Sequence, residues 1–419
     1  MLGFWLKCLA IQGYKMAQKL FDMLLERGFV KDMTHPEQIK KILNGDKKIS
    51  FYLGIDPTAD SLHIGHFFAL RMFRHLQNAG HRGILLIGGA TSMVGDPTGK
   101  SDMRKMLTRE QVNHNLKEVR DLASRFVLPG TEIVNNDDWM KKFTYVDFLR
   151  LVCTHFNVST MLASEAYARR RENGGLTFLE MGYMPMQAYD FVHLHNEYGC
   201  ILEIGGSDQW GNIVAGTELF RKMNIEQGKD KEEIYGLTSP LLMTADGKKM
   251  GKTEKGTLWV AREKTTPYDF YQYFYNTGDE NTETLLALFT DIPMDEIKKM
   301  CKSDIVAAKR RMAFEITKLI HGEDVAKAAA DTAMSLFSGA GNTADMPTAE
   351  IKMKSPMGVL DFLCESGLFT SKSEARRNVE QGGIQIDGNK ITDSKAMIRP
   401  ASEIMVKKGK KVFLRVICK

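Results

Sequence analysis

Between residues 50 and 88 the chain reads as a strand, a histidine-bearing turn, a helix and a second strand, and no other stretch constrains the fold as much. Ser50-Phe-Tyr-Leu-Gly-Ile55 has strand character, Asp56-Pro57 opens a turn, and a helix is expected from about Gly65 to Ala79, stopped by Gly80. Gly83-Ile-Leu-Leu-Ile-Gly88 is an unbroken apolar run, the pattern of a strand covered on both faces. Strand, helix and strand in so short a span make a βαβ unit, which implies a parallel sheet flanked by helices. Gly199-Cys-Ile-Leu-Glu-Ile204 repeats the strand pattern, with Gly205-Gly206 as the turn and a helix expected from Asp208 to Met223. In such sheets ligands sit at the carboxyl ends of the strands, where both turns fall.

At 419 residues the chain is long enough for two or three domains. Met16 opens a helical pattern, so residues 1–15 read as an extension upstream of a natural start. Residues 16–238 are then expected to form the α/β unit, in which 100–180 read as a mostly helical insertion. Residues 239–266 form a connecting segment, and 267–337 are helical, with Ile305, Ala308, Met312, Ile316, Leu319 and Ile320 at 3–4 spacing. Residues 338–356, rich in Gly, Ala, Thr and Pro, read as a linker, and 357–419 as a compact unit with helices at Gly358–Ser366 and Ser371–Gln381 and a last strand at Val412–Ile417.

Net charge is +5 and unevenly placed: from residue 352 onward there are 14 Lys/Arg against 7 Asp/Glu, and before it 43 against 45. A basic C-terminal unit of this kind suits a polyanion, commonly nucleic acid, although a solvated face has the same look. No apolar run approaches the ~20 residues that cross a bilayer, and the apolar N-terminus lacks the basic flank of a signal peptide. Six scattered cysteines without a Cys-x-x-Cys pair argue against a metal site and a disulfide framework, and fit a reducing, cytoplasm-like compartment.

Four stretches can carry chemistry. His63 and His66 stand at i,i+3 in the first turn of the expected helix, where unpaired N–H groups and the helix dipole attract phosphate. Gly65 between them allows a nucleotide close to the backbone. Zinc would need more ligands nearby than the sequence offers. Gly247-Lys-Lys-Met-Gly-Lys-Thr253 places Lys249 and Lys252 on a glycine-rich loop, suited to charge that builds on a leaving pyrophosphate and equally to a solvated turn. Gly95-Asp-Pro-Thr-Gly-Lys-Ser101 is one residue short of a P-loop, and Pro97 removes an N–H such a cradle uses, so a P-loop is excluded; Lys100 and Arg104 can still reach phosphates from it. In Tyr183-Met-Pro-Met-Gln-Ala-Tyr-Asp190, Tyr183, Gln187 and Asp190 share one helical face, which periodicity alone would leave facing solvent.

Together, the His-Ile-Gly-His and Lys-Met-Gly-Lys-Thr stretches resemble the two signatures of class I aminoacyl-tRNA synthetases, the second a variant of Lys-Met-Ser-Lys-Ser. With Tyr52, Tyr183–Asp190 and Gly205-Gly-Ser-Asp-Gln-Trp-Gly-Asn212, the chain from about Met16 is similar to tyrosyl-tRNA synthetases of the bacterial type. The resemblance implies an α/β fold: a Rossmann-like parallel-sheet catalytic domain, a helical domain, and a C-terminal S4-like α+β RNA-binding domain. It assigns Tyr52 and Asp190 to the substrate phenol, Asp96, Tyr183 and Gln187 to the α-ammonium, and Gln209 to the carboxylate. Gly54, Asp56, Gly206 and Asp208 fall on the adenosine side, and Thr58, His63, His66, Lys100, Arg104, Lys249, Lys252 and Thr253 around the phosphates. Glu203 departs from the family, which more often has glutamine there, and is left outside the assigned set.

The activity implied is tyrosine–tRNA ligation, with ATP as substrate, its accompanying Mg2+, no metal held by the protein, tRNA(Tyr) as partner, a homodimer, and no membrane. Lys372, Arg376, Arg377, Lys407, Lys408, Lys410 and Lys411 are the expected RNA contacts, the last four as a strand-edge cluster. A phenol hydroxyl is donor and acceptor, so a carboxylate and a second phenol satisfy it, and phenylalanine would leave both unpaired. An indole needs only an acceptor, which separates this reading from a tryptophan enzyme. The alternative from another class is an RNA-binding protein that has lost ligation, against which the intact histidines and lysines stand.

Overall fold

A computed structural model of the chain describes residues 19–98, 106–228, 231–244, 247, 249–253, 256–338, 348–353, 355–409 and 412–419, with the backbone alone at 252, 253, 335–338 and 412. The chain divides into two compact units, residues 1–261 with 287–289, and residues 262–286 with 290–419.

The first unit is built on five parallel strands: β1 (Ser50–Ile55), β2 (Arg82–Ile87), β3 (Glu132–Asn135), β4 (Cys200–Gly206) and β5 (Tyr235–Ser239), in the order β3-β2-β1-β4-β5. The chain winds outward from β1 through β2 to β3, then returns to the other side of β1 for β4 and β5. That reversal leaves a crevice beyond the carboxyl ends of β1 and β4, the usual ligand position in such a sheet. Register sets Tyr52 opposite Ile84 on β2 and opposite Glu203 on β4. The helices Tyr183–Tyr198 and Trp210–Glu226 cover this face, burying Phe191, Leu194, Leu219 and Phe220 with Tyr52, Ile84 and Leu86.

The described residues of 100–180 are mostly helical as expected, but they also contribute β3 to the sheet. β3 has only four residues, half-buried at the sheet edge, so neither alternation nor an apolar run betrays it. The helices of this stretch, Arg109–Ser124, Tyr145–Leu151, Val158–Ala163, Glu165–Glu172 and Phe178–Met181, agree with the pattern. The helix after β1 runs Ile64–Asn78, and the one after β4 begins at Trp210, behind a 3-10 turn Ser207–Gln209.

In the second unit, Pro267–Tyr275, Ile305–His321 and Glu323–Ser338 pack together, with Phe270 against Phe274 and His321. Thr266 caps the first of these, with Pro267 at its first position, and Asp304 caps the second through the N–H groups of Val306 and Ala307. A mixed sheet follows, in the order Asn389–Ile391, Ile384–Ile386, Glu403–Lys408, Val412–Cys418, Thr348–Ile351. It is covered by Val359–Glu365 and Lys372–Glu380 over a core that includes Val359, Phe362, Val379, Ile384, Val406 and Val416.

Two expectations change here. Thr348–Ile351 lies inside the expected linker, yet pairs in parallel with Val412–Cys418, a partner that no local signal in so short a segment announces. Lys407 and Lys408 end a central strand rather than an edge: Lys407 sits opposite Gln385 on one side and Phe413 on the other. Among the described residues no helix is long and apolar enough to cross a membrane.

Candidate active site

At the start of the helix Ile64–Asn78 the two motif histidines cap each other. His66 N–H donates to His63 Nδ1 at 3.2 Å, and His63 N–H to His66 Nδ1 at 3.4 Å. The reciprocal arrangement is a capping box made with imidazoles in place of Ser and Glu. Because each Nδ1 accepts, a neutral ring in this cap carries its proton on Nε2. The rings stack with centroids 3.6 Å apart, so two imidazolium charges would repel strongly. Gly65 has a local reason as well: a Cβ there would come within 3.0 Å of His63 Cε1, crowding the ring that closes the cap.

The second motif packs directly on the first. Gly251 has φ +90°, and a Cβ on it would lie 2.5 Å from Ile64 Cγ2. The motif's third position is therefore glycine for both conformation and space. Leu258 N–H donates to Gly251 O at 2.6 Å, Ile64 N–H to Leu258 O at 3.1 Å, and Val260 N–H to Leu62 O at 2.8 Å, so residues 258–260 tie the motifs together. Met250 is buried, and Lys249 Nζ donates to Asp208 Oδ2 at 3.0 Å. The backbone of Lys252–Thr253 pairs with Gly256–Thr257. Lys100 and Arg104 lie outside the described residues. Thr58 N–H closes a tight turn on Asp56 O at 2.8 Å, and buried Asn115 holds that turn by donating Nδ2 to Pro57 O at 3.0 Å.

Deeper in, a hydrogen-bonded chain links three of the expected residues. Tyr183 Oη donates to Asp56 Oδ2 at 2.9 Å, and Thr91 Oγ1 to Asp56 Oδ1 at 2.7 Å. Asn136 Nδ2 donates to Thr91 Oγ1 and to Asp190 Oδ2, each at 3.0 Å, while Trp139 Nε1 donates to Asp190 Oδ1 at 2.8 Å. Gly88 closes β2 with no room for a side chain, because a Cβ would lie 2.0 Å from Asp56 Oδ1. Asp190 is 1% exposed, and burial pushes its carboxyl well above the usual range against the pull of these two donors. Beside it Tyr52 is equally buried, and its hydroxyl makes no hydrogen bond of ordinary geometry among the described residues.

Asp96 accepts Thr98 N–H at 2.9 Å and Gln209 Nε2 at 2.8 Å, joining two more of the expected residues. Gln187 donates Nε2 to Glu203 Oε1 at 3.1 Å. Gly54 is exposed at the end of β1, and a Cβ at Gly206 would crowd Asp208 Oδ1 at 2.7 Å.

Four residues of this site escape a sequence reading, Thr91, Asn115, Asn136 and Trp139, while Glu203 is noticed there but stays unassigned. Each is an ordinary polar or aromatic residue whose role depends on a distant partner. The one available signal is the run Asn135-Asn-Asp-Asp-Trp139, polar and turn-forming just where a strand end would place it.

In the basic C-terminal unit, Lys372 is paired with Asp361, and Lys408 lies 3.7 Å from Glu374 and over the Phe369 ring. Lys407 stacks on Phe413 at 5.0 Å, whereas Arg376 and Arg377 are exposed on their helix. Lys410 and Lys411 lie outside the described residues.

The family model for class I tRNA synthetases (W and Y) matches residues 44–338, and the one for the tyrosine–tRNA ligase SYY-like C-terminal domain matches residues 340–416. The chain is 46% identical over 412 residues to a tyrosine–tRNA ligase of Clostridium kluyveri, covering 96% of this chain and 99% of that protein. It is 45% identical over 410 residues to that of Acetivibrio thermocellus, covering 95% and 98%. Among solved structures, a C-terminally truncated mitochondrial tyrosyl-tRNA synthetase of Aspergillus nidulans is similar with a TM-score of 0.67 and 28% identity, over 77% of this chain and 95% of that one.

Proposed function

The chain belongs to the class I tRNA synthetases, among the tyrosine–tRNA ligases, and from that premise we propose that the crevice beyond β1 and β4 carries both chemical steps. The enzyme activates tyrosine with ATP and then transfers it to tRNA. In the first step the tyrosine carboxylate attacks the α-phosphorus in line, forming the acyl–phosphate bond as pyrophosphate leaves. In the second, a hydroxyl of the terminal adenosine of tRNA attacks the acyl carbon and AMP departs.

Asp190 and Tyr52 take the phenol hydroxyl, Asp96, Tyr183 and Gln187 the ammonium, and Gln209 the carboxylate. The observation that carries this assignment is the environment of Asp190: wholly buried, with Asn136 and Trp139 on its two oxygens, beside a Tyr52 hydroxyl that makes no hydrogen bond of ordinary geometry among the described residues. Asp190 holds a second lone pair on each oxygen, so a substrate hydroxyl completes the set. Gly54, Asp56, Gly65, Gly206 and Asp208 border the nucleotide. Thr58, His63, His66, Lys100, Arg104, Lys249, Lys252 and Thr253 surround the phosphates. The Nε2–H groups of the histidines and the lysine ammonium groups favour the charge that develops as pyrophosphate leaves, and no covalent enzyme intermediate is required. Magnesium enters with ATP as part of that substrate; among the described residues no cluster of three acidic, His or Cys ligands offers a separate protein-made site.

Arg376, Arg377 and the lysines 372, 407, 408, 410 and 411 contact tRNA phosphates. The enzyme is a homodimer, a reading supported by the apolar residues exposed between β3 and β4: Tyr145, Val146, Leu151, Val158, Phe178 and Leu179, with Phe178 72% exposed. It works in the cytoplasm, in keeping with the free thiols of Cys153, Cys200, Cys301, Cys364 and Cys418.

ATP–pyrophosphate exchange with single amino acids tests the assignment. Exchange is expected with tyrosine and not with tryptophan or phenylalanine, and it should lose that preference in Asp190→Asn. Exchange driven equally by tryptophan would overturn the pocket.

A further inference from the structure

Gln187 and Glu203 meet on the floor of the amino-acid pocket, where Gln187 Nε2 donates to Glu203 Oε1 at 3.1 Å. Glu203 is 3% exposed and stands opposite Tyr52 across the β1–β4 pairing. Among the described residues, three buried polar atoms around this contact lack a hydrogen bond of ordinary geometry: Glu203 Oε2, Gln187 Oε1 and Tyr52 Oη. Buried polar atoms are almost always paired, so three together mark a place that a ligand completes.

A carboxylate only accepts hydrogen bonds, so a charged Glu203 forces the amide NH2 of Gln187 toward itself. The amide oxygen is then the atom left over. We propose that Glu203 is a positioning residue for the amino-acid substrate: it fixes the Gln187 amide with its carbonyl oxygen turned to the α-ammonium group, and adds a negative charge behind it. The inference rests on the reading of Gln187 as part of the ammonium site.

Proton state decides whether the device works. Burial pushes the Glu203 carboxyl up to about 7, opposed by its contacts with Gln187 and Tyr52. The groups that face it are Gln187 and Asp190 from the helix above, Tyr52 from β1, and Cys200 from its own strand; all are acids or neutral. Protonated Glu203 can donate to an amide oxygen, so the Gln187 amide is free to turn and present its NH2, which repels an ammonium. Deprotonated Glu203 forbids that orientation. A glutamine at position 203 could bond Gln187 either way round and would leave the orientation unset.

The test compares tyrosine with its deaminated analogue, 3-(4-hydroxyphenyl)propanoate, by equilibrium dialysis without ATP. The ratio of the two dissociation constants cancels everything that acts on the phenol and the carboxylate. In the natural chain the preference for tyrosine should rise about 3–10-fold between pH 6 and pH 8, on the scale of the tenfold that one pKa unit represents. In Glu203→Gln the preference should be lower at pH 8 and flat across the range. A flat ratio in the natural chain, or the same rise in Glu203→Gln, overturns the proposal, and the first of these needs no variant to fold. Gln187→Ala separates the two levels. If it collapses the preference while Glu203→Gln does not, only the role of Glu203 fails; if it leaves the preference unchanged, the ammonium site is wrong as well.

Discussion

Asp190 and Lys249 are assigned to the same crevice and are held in opposite ways. Asp190 is 1% exposed, with a side-chain donor on each oxygen. The Lys249 side chain is 45% exposed and bonded to Asp208, itself 26% exposed. An ion pair that open contributes ~0–1 kcal/mol, so Lys249 can exchange Asp208 for a phosphate at little cost. Disturbing Asp190 leaves buried donors unpaired, at about 1–3 kcal/mol each. On the proposed assignment, selection of the amino acid belongs to a preformed network and acceleration to cations that change partner as charge develops.

The largest effect that can break this contrast is expected at the phosphate side. Removing Lys249, Lys252, His63 or His66 by alanine should slow adenylate formation ~10²–10³-fold in single-turnover experiments, with the tyrosine dissociation constant unchanged. Loss of tyrosine affinity in proportion to the rate would mean that these groups bind the ground state as much as the transition state.

Next in size is Asp190→Asn. An asparagine places its NH2 against either Asn136 or Trp139, so selectivity for tyrosine over phenylalanine should fall about 10–100-fold, since each 1.4 kcal/mol is tenfold. The KM for ATP should not move. Trp139→Phe removes one donor only and should give a smaller loss in the same direction, measured in the same exchange assay.

Gly251→Ala sharpens the boundary between the two regions. Its φ of +90° and the 2.5 Å approach to Ile64 Cγ2 predict a displaced signature loop. Adenylate formation should slow roughly tenfold, the scale of a 1.4 kcal/mol strain, with selectivity intact. Altered selectivity would show that the loop shapes the pocket.

The smallest expected effect is on stability. Glu203 has a folded-state pKa raised from 4.5 to about 7. A raised carboxyl pKa means that the folded state holds the proton more tightly, so the contribution is intact below the unfolded value and lost as pH rises through the folded one. Glu203→Gln should therefore gain melting temperature relative to the natural chain at pH 8 and little at pH 4.5, by a few degrees on the scale of ~2–4 °C per kcal/mol. Equal gains at both pH values would place the effect outside ionisation.

How much of this was legible in the sequence follows the distance between partners. The His63–His66 turn and the β1–helix–β2 unit are local patterns and stand in the structure as the pattern suggests, whereas Tyr183 and Asp190 share a helix as expected but are buried where periodicity alone would leave them in solvent. The hydrogen bonds from Asn136 and Trp139 to Asp190 join residues 54 and 51 positions apart and depend on β3, a four-residue edge strand with no sequence period to mark it. Glu203 faces Tyr52 only because β1 and β4 pair in parallel in one register, and a slip of one residue would turn it to the other face of the sheet. At the C-terminus, Lys407 and Lys408 read as an edge cluster because their neighbours in the sheet, Ile384–Ile386 and Val412–Cys418, are set by pairing across the whole module.

A double-mutant cycle on Asp190→Asn and Lys249→Ala tests the separation most directly, with tyrosine-over-phenylalanine selectivity and the single-turnover rate of adenylate formation both measured in all four proteins. The separation predicts that selectivity moves only with Asp190, that Lys249 changes the rate alone, and that the two changes in activation free energy add to within ~0.5 kcal/mol. A selectivity loss in Lys249→Ala, or a coupling of 1 kcal/mol or more in the cycle, would contradict it and make binding and chemistry a single cooperative network.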